Sequence, residues 1–333
     1  MTVLLSTYLR NFLKKFAMEG INMQCAMPAW DGVPTRVIAE GQWIEEDILQ
    51  HGKKDIVLII PGNPGVPDFY EGFMKSLKTK LPSEIPIWAV GHSGHVQPPN
   101  NLSYTMPSDS TWNINYSLIA QVEHKKNFIN KYVPDDTNLH LIGHSIGCWM
   151  ILQMLKDESI SNKIKKCYLL FPTIEYMSST PNGKFFTRFV SPISSFILFV
   201  TWVFSCLPLF LQHFLITIFA PIYGVPKKYN KAVQLLINPR SLWNVVKLAK
   251  EEMQTVKGRD DTVLSQHADK LWFYYGNCDG WTPVKYYRNM KATHPNMNAE
   301  LCKHGYLHSF VLKFDKEMGF IVGDLIRENI SSC

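Results

Sequence analysis

The sequence predicts an α/β fold, a mostly parallel sheet with helices on both faces and a large, strongly apolar helical cap inserted into it. Three observations carry that prediction. Short apolar runs closed by Gly or Pro, such as Asp55–Ile60 (DIVLII), read as strands buried on both faces. Between them stand segments whose apolar residues recur at the helical spacings of three and four. The alternation fails once, from 173 to about 265, and then resumes, which is the pattern of one domain carrying an insertion.

The elements follow in order. Residues 34–50 look like a short hairpin with its turn near Glu40 and Gly41. Asp55–Ile60 is the first central strand, and 67–80 is a helix with Phe69, Tyr70, Phe73, Met74 and Leu77 on its apolar side. A second strand occupies 85–90, with Pro86 near its start. The Gly-, Pro- and Ser-rich 91–109 is a long loop, and Leu118–Tyr132 has a helical rhythm. Strand 138–142, helix 146–156 and strand 164–171 complete the first part. After the break come strand Leu271–Tyr275, helix 284–290, a short strand at 299–302 and a terminal helix over 310–329. The chain divides into an N-terminal extension (1–30), a first core part (31–172), a cap (173–265) and a second core part (266–333).

Composition bounds the possibilities. Of 333 residues, 46% are hydrophobic and 19% charged, which suits one large folded domain. The formal charge of +6 suits an anionic surface without requiring one. No dense Lys/Arg run with interleaved aromatics points to nucleic acid. The seven cysteines are odd in number and none is spaced C-x-x-C, so reduced thiols are expected and a structural zinc site is not. Sequons at Asn101 and Asn115 would matter only in a lumen.

Two segments bear on membranes. In residues 1–17, Leu5, Leu9, Leu13 and Phe16 lie at helical spacing among Arg10, Lys14 and Lys15. A surface anchor, a mitochondrial presequence and a frayed tail all fit. The stronger segment runs from Phe189 to Pro226, 38 residues without Asp, Glu, Lys or Arg. Pro192, Pro208 and Pro221 divide it, and its arms of 15 and 12 residues fall short of a straight span. One crossing, a hairpin dipping into one leaflet, and a buried pair of lid helices are all compatible with the pattern. Arg188, Lys227 and Lys228 flank it and would favour headgroups on one face.

The chemistry centres on Gly143-His144-Ser145-Ile146-Gly147, a G-x-S-x-G between a strand and a helix. That context lifts the Ser145 hydroxyl above the sheet edge at a helix N-terminus, where free N–H groups favour developing negative charge. A serine needs a base, and the base needs an orienting carboxylate. Of eleven histidines, His308 lies after the last strand and before the terminal helix. His304 is its nearby competitor. His144 points elsewhere, and His92 and His95 either line the entrance or sit on the surface. Asp279, in the turn after the fifth strand, is the favoured carboxylate, with Asp260, Asp261 and Asp315 as rivals. The order Ser, Asp, His is that of α/β-hydrolases. Oxyanion donors would be Ile146 N–H and one amide of the loop Pro61–Gly65. Prolines 61 and 64 have no N–H, so Gly62, Asn63 and Gly65 compete, and Asn63 is favoured. No phosphate loop, dinucleotide motif or His-Glu-x-x-His occurs, so neither cofactor nor metal is expected.

The motifs IIPGNPGVPDFY, QVEHKKNFI, LIGHSIG, LLFPTIEYMSSTPNG, YYGNCDGWTP and HGYLHSF together resemble the lipid droplet-associated hydrolase family, from about Val33 to the C-terminus. The resemblance implies an α/β-hydrolase with a serine triad, Ser145 as nucleophile, Asp279 as acid and His308 as base. It implies turnover of cholesteryl ester or other neutral lipid at the droplet and endoplasmic reticulum, with the droplet-targeting region on 189–223. The first twenty-odd residues have no counterpart. The family often carries Pro after the acid, whereas Gly280 stands here and is expected to loosen that turn slightly.

The expected function is therefore a serine lipid ester hydrolase with its catalytic domain facing the cytosol. The expected partners are a neutral lipid ester and a lipid droplet or endoplasmic reticulum monolayer. Two alternatives keep the fold. One is a droplet protein with little or no hydrolase activity, and the other is a lipid acyltransferase.

Overall fold

The computed structural model describes residues 23–46, 55–99 and 106–331. The 1–17 stretch and Asn101 lie outside them.

Ten strands occur among the described residues: β1 (Met23–Ala26), β2 (Ala29–Trp30), β3 (Val33–Pro34), β4 (Val37–Glu40), β5 (Asp55–Ile60), β6 (Ile87–Val90), β7 (Asn138–His144), β8 (Ile164–Leu170), β9 (Leu271–Tyr275) and β10 (Ala299–Leu301). Eight of them form one sheet in the order β1-β4-β6-β5-β7-β8-β9-β10, and β2 pairs with β3 alone. From β6 to β10 every pairing is parallel, and β1 and β4 are antiparallel at one edge. Side chains alternate between two cores. Ile56, Leu58 and Ile60 face one, and Val57 and Ile59 face the other.

Helix α1 (Glu71–Lys78) covers the second face, while α2 (Leu118–Tyr132) and α3 (Ile146–Met154) cover the first. The block between β8 and β9 contributes α4 (Ser194–Ser205), α5 (Leu209–Ile222) and α6 (Pro239–Thr255). Helix α7 (Val284–Thr293) packs under the first face, and α8 (Asp315–Ser331) closes the second beside α1.

Three expectations need correction. The 34–50 hairpin does not form. Val37–Glu40 pairs with the earlier Met23–Ala26, residues 42–46 are not a strand, and 47–50 lie outside the described residues. Residues 23–26, assigned to the extension, thus contribute the sheet's edge, because β4 finds a partner upstream instead of downstream, and 29–30 pair with β3. The terminal helix is broken at Phe314, between Phe310–Lys313 and α8. No Gly or Pro announces that break. Asp315 instead accepts hydrogen bonds there from Lys228 and Tyr229 of the cap.

The apolar segment forms two consecutive helices, α4 and α5, joined by the short turn 206–208, with α4 packed on α6 and α5 on residues 230–236. Among the described residues no single helix is long and apolar enough to cross a membrane. Its amphipathicity is inverted. The buried positions are Ser194, Thr201, Gln212, Ile216 and Ala220, while Phe196, Trp202, Phe210 and Phe214 are exposed. A lid folded onto a dry pocket would reverse that assignment.

The strand register prepares the site. Ile60 lies opposite Gly143, His144 opposite Leu170, and Leu170 opposite Tyr274. The carboxyl ends of β5, β7, β8 and β9 therefore finish at one level, and the loops that leave them meet there.

Candidate active site

β7 runs through His144 and α3 begins at Ile146, so Ser145 alone makes the turn. Its φ of +54° and ψ of −122° are strained for a residue with a side chain. The turn is tight enough to require glycine beside it. A Cβ at Gly147 would stand 2.3 Å from the Ile60 carbonyl oxygen, and one at Gly62 would stand 2.8 Å from Ser145 Cβ. The nucleophile and the Pro61–Gly65 loop are thus in direct contact.

Three side chains from separate loops converge here. His308 Nε2 lies 2.9 Å from Ser145 Oγ, and His308 Nδ1 lies 2.7 Å from Asp279 Oδ2. Asp279 is held from its own turn. Its Oδ1 accepts from Trp281 N–H at 2.7 Å and Thr282 N–H at 3.2 Å, and its Oδ2 accepts from the Thr282 hydroxyl at 2.7 Å. Burial works to raise the Asp279 pKa, but His308 and these donors outweigh it and bring it down to about 2. An ionised Asp279 can only accept, so Nδ1 carries the His308 proton and Nε2 faces the serine as an acceptor.

The rival residues are occupied elsewhere. His304 is exposed and stacks on Tyr306 with centroids 5.4 Å apart. Asp260 caps a helix and pairs with Lys156, Asp261 pairs with Arg259 and His294, and Asp315 with Lys228. His92 and His95 are neither surface nor entrance residues. Both are buried, His92 against Gly65 and His95 on the Pro64 carbonyl, because 91–99 folds inward behind the Pro61–Gly65 loop. His144 does point away from the hydroxyl, but it meets Tyr70 and the backbone of His308.

Among the loop amides, Gly62 N–H donates to Tyr70 Oη and Gly65 N–H to the Gly62 carbonyl. Asn63 N–H has no partner among the described residues, and Ile146 N–H is at the open first turn of α3. The Asn63 side chain ties the loop to the cap through Val245 O and Glu252 Oε1 on α6. Burial pushes the Glu252 carboxyl up to about 8, so at neutral pH it meets Asn63 mainly in its protonated form.

Gly280 does not loosen the acid's turn. Its carbonyl accepts from Asn182 N–H at the start of the cap, and a Cβ there would stand 2.4 Å from Asn182 Oδ1. Glycine fits because the cap approaches so closely. Tyr70 and Thr282 escaped the sequence reading. The Asp-x-x-Thr spacing of the turn could have revealed Thr282, but nothing local marks Tyr70. No group of three or more His, Cys, Asp or Glu among the described residues is placed to hold a metal. An open surface groove bounded by Ser108, Leu198, Arg240 and Trp243 lies against the cap and includes none of the triad. Serine, histidine and carboxylate in hydrogen-bonded sequence, beside two unpaired amides, can carry out nucleophilic acyl transfer.

Comparison with known proteins gives the family and the fold. Residues 53–311 match the family model described as lipid-droplet associated hydrolase. A lipid droplet-associated hydrolase of Drosophila melanogaster is 40% identical over 308 residues, covering 92% of this chain and 99% of its own length. The Homo sapiens protein of that name is 33% identical over 311 residues, covering 90% and 94%. Among solved structures, a putative lipase from Acinetobacter baumannii superposes with a TM-score of 0.61 at 14% identity, covering 94% of this chain and 93% of that one. A haloalkane dehalogenase variant from Bradyrhizobium elkanii gives 0.59 at 10% identity, covering 93% and 99%. At such identities these two report the α/β-hydrolase fold alone.

Proposed function

We propose that this chain, which belongs to the lipid-droplet associated hydrolase family, hydrolyses an apolar carboxylic ester at a lipid–water surface. The observation that carries the reading is the continuous contact from Asp279 through His308 to Ser145, at 2.7 and 2.9 Å. His308 Nε2 takes the hydroxyl proton as Ser145 Oγ bonds to the ester carbonyl carbon. The carbonyl oxygen gains negative charge and turns toward Ile146 N–H and Asn63 N–H. The C–O bond to the alcohol then breaks, the alcohol leaves with the proton from His308, and the acyl group stays on Ser145. Water, deprotonated by the same nitrogen, attacks the acyl-enzyme and releases the fatty acid.

The exposed helix pair within 189–223 supports an insoluble substrate such as a cholesteryl ester or another neutral lipid. A pair of helices that enters a droplet or endoplasmic reticulum monolayer without crossing it would leave the core in the cytosol. That pair would serve a droplet-coating protein equally well, so the chemistry needs its own test. Purified protein should take a fluorophosphonate label and release fatty acid from emulsified cholesteryl oleate, and Ser145→Ala should abolish both. Unchanged hydrolysis in Ser145→Ala would sink the proposal. Transfer of the acyl group to added sterol in preference to water would redirect it toward an acyltransferase.

A further inference from the structure

We infer that Tyr70 and His144 are positioning residues that lock the oxyanion loop to the backbone of the base, His308. The inference rests on the hydrolase reading above and adds to it two buried side chains whose hydrogen bonds go to the oxyanion loop and the His308 backbone, not to the serine hydroxyl.

A chain of three hydrogen bonds carries it. Gly62 N–H donates to Tyr70 Oη at 2.9 Å, Tyr70 Oη meets His144 Nδ1 at 2.6 Å, and His144 Nε2 meets the His308 carbonyl at 2.9 Å. The two ends fix every proton. A backbone amide can only donate and a carbonyl can only accept. His144 must therefore carry its proton on Nε2, its Nδ1 must accept, and the tyrosine hydroxyl must donate. Burial, with the nearby His308, lowers the His144 pKa to about 3 and keeps that neutral tautomer in place.

The chain joins two parts of the site that lie outside regular secondary structure. The Pro61–Gly65 loop follows β5, and His308 sits in an irregular stretch between β10 and the Phe310–Lys313 turn of helix. Tyr70 and His144 are both buried, with the His144 ring 5.0 Å from Phe310 and 5.3 Å from His308 between centroids. Because His144 immediately precedes Ser145, one strand end delivers the nucleophile and aligns its base. A small displacement of His308 relative to Oγ changes the proton transfer, and a displacement of order 1 Å costs a reaction about a hundredfold.

The test compares Tyr70→Phe, His144→Phe and His144→Gln with the wild type. Each is measured for thermal unfolding, for kcat and KM on p-nitrophenyl butyrate, and for the rate of fluorophosphonate labelling. The downfield proton resonance of His308 Nδ1–H, assigned by its loss in His308→Ala, is followed as well. Tyr70→Phe and His144→Phe should lower kcat by about ten- to a hundredfold with KM within about twofold. Labelling should slow in parallel, and the His308 resonance should shift or broaden. His144→Gln can still donate to the His308 carbonyl and should recover part of the loss.

Folded Phe variants with wild-type kcat and an unmoved resonance would overturn the inference. So would a loss confined to KM, or a Gln variant no better than Phe, which would show that donation to the His308 carbonyl is not the cause. Should His144→Phe fail to fold, Tyr70→Phe carries the test, since it removes one oxygen atom. If the wild type itself takes no label, the hydrolase reading has failed. The resonance still reads the network then, and its indifference to Tyr70→Phe would reject the network independently.

Discussion

Asp279 is fully enclosed yet remains charged, because four hydrogen-bond contacts from His308, Thr282 and Trp281 converge on its two oxygens. Asp279→Asn should leave the chain folded and cut kcat by about 10⁴, since an amide no longer selects the His308 tautomer. The same carboxylate gives an acid signature. Its folded pKa, about 2, lies below the unfolded value, so its stabilisation is present above about pH 4 and is lost as pH falls through about 2. Urea unfolding should show wild type losing about 2 kcal/mol across that window beyond what Asp279→Asn loses. Equal losses would mean that the charge is not stabilised in the folded state. Ser145, Asp279 and His308 were legible because their order and their places after strands are local properties. Tyr70 and His144 were not, because 74 positions separate them along the chain and no spacing rule relates them.

At the scale of elements, the strands were read to within a residue or two wherever an apolar run ended in Gly, Pro or a motif. The edges fared worse. β1 is short and only half buried, so its composition does not distinguish it from a tail. The apolar helix pair shows the limit of hydropathy most clearly. A charge-free stretch announces that it avoids water but not what covers it, and the fold turns Thr201 and Gln212 inward while Phe210 stands 74% exposed. Replacing Phe196, Phe210 and Phe214 by Ser should therefore leave stability nearly unchanged, within about 0.5 kcal/mol per site, since each is more than half exposed. Flotation with triolein droplets should collapse, because each lost phenyl removes about 1.5–3 kcal/mol of transfer energy. Hydrolysis of p-nitrophenyl butyrate should persist. Retained flotation would place the lipid contact elsewhere.

At the scale of the whole molecule, the middle of the cap carries charge of one sign. Between Glu175 and Glu251 there is no acidic residue, while eight Lys and Arg occur. Lys184, Arg188, Lys227 and Lys231 are exposed and flank the apolar segment along the chain, while Lys228, also exposed, pairs with Asp315. Near an anionic surface each basic residue contributes about 1 kcal/mol, and salt screens that contribution. Binding to vesicles containing phosphatidylserine should exceed binding to neutral vesicles at low salt and fall toward it at about 0.5 M NaCl, where the Debye length is only a few ångströms. Residual binding at high salt measures the helix pair. A salt-independent affinity would show that the basic rim does not face the lipid. The cap is also bound to the chemistry, since α6 holds Asn63 through Glu252 and meets the helix pair through Lys250 and Ser194.

The sequence by itself determined the fold class, the three residues of the candidate triad and the presence of a water-avoiding segment. Each of these is written in period, motif or local order, which survive without coordinates. Tertiary structure alone decided which face of the helix pair is bare, that Glu252 is buried against Asn63, and that a tyrosine and a histidine join the oxyanion loop to the base. Those are facts of distance and enclosure, and they depend on which parts of the chain meet after the strands have taken their register.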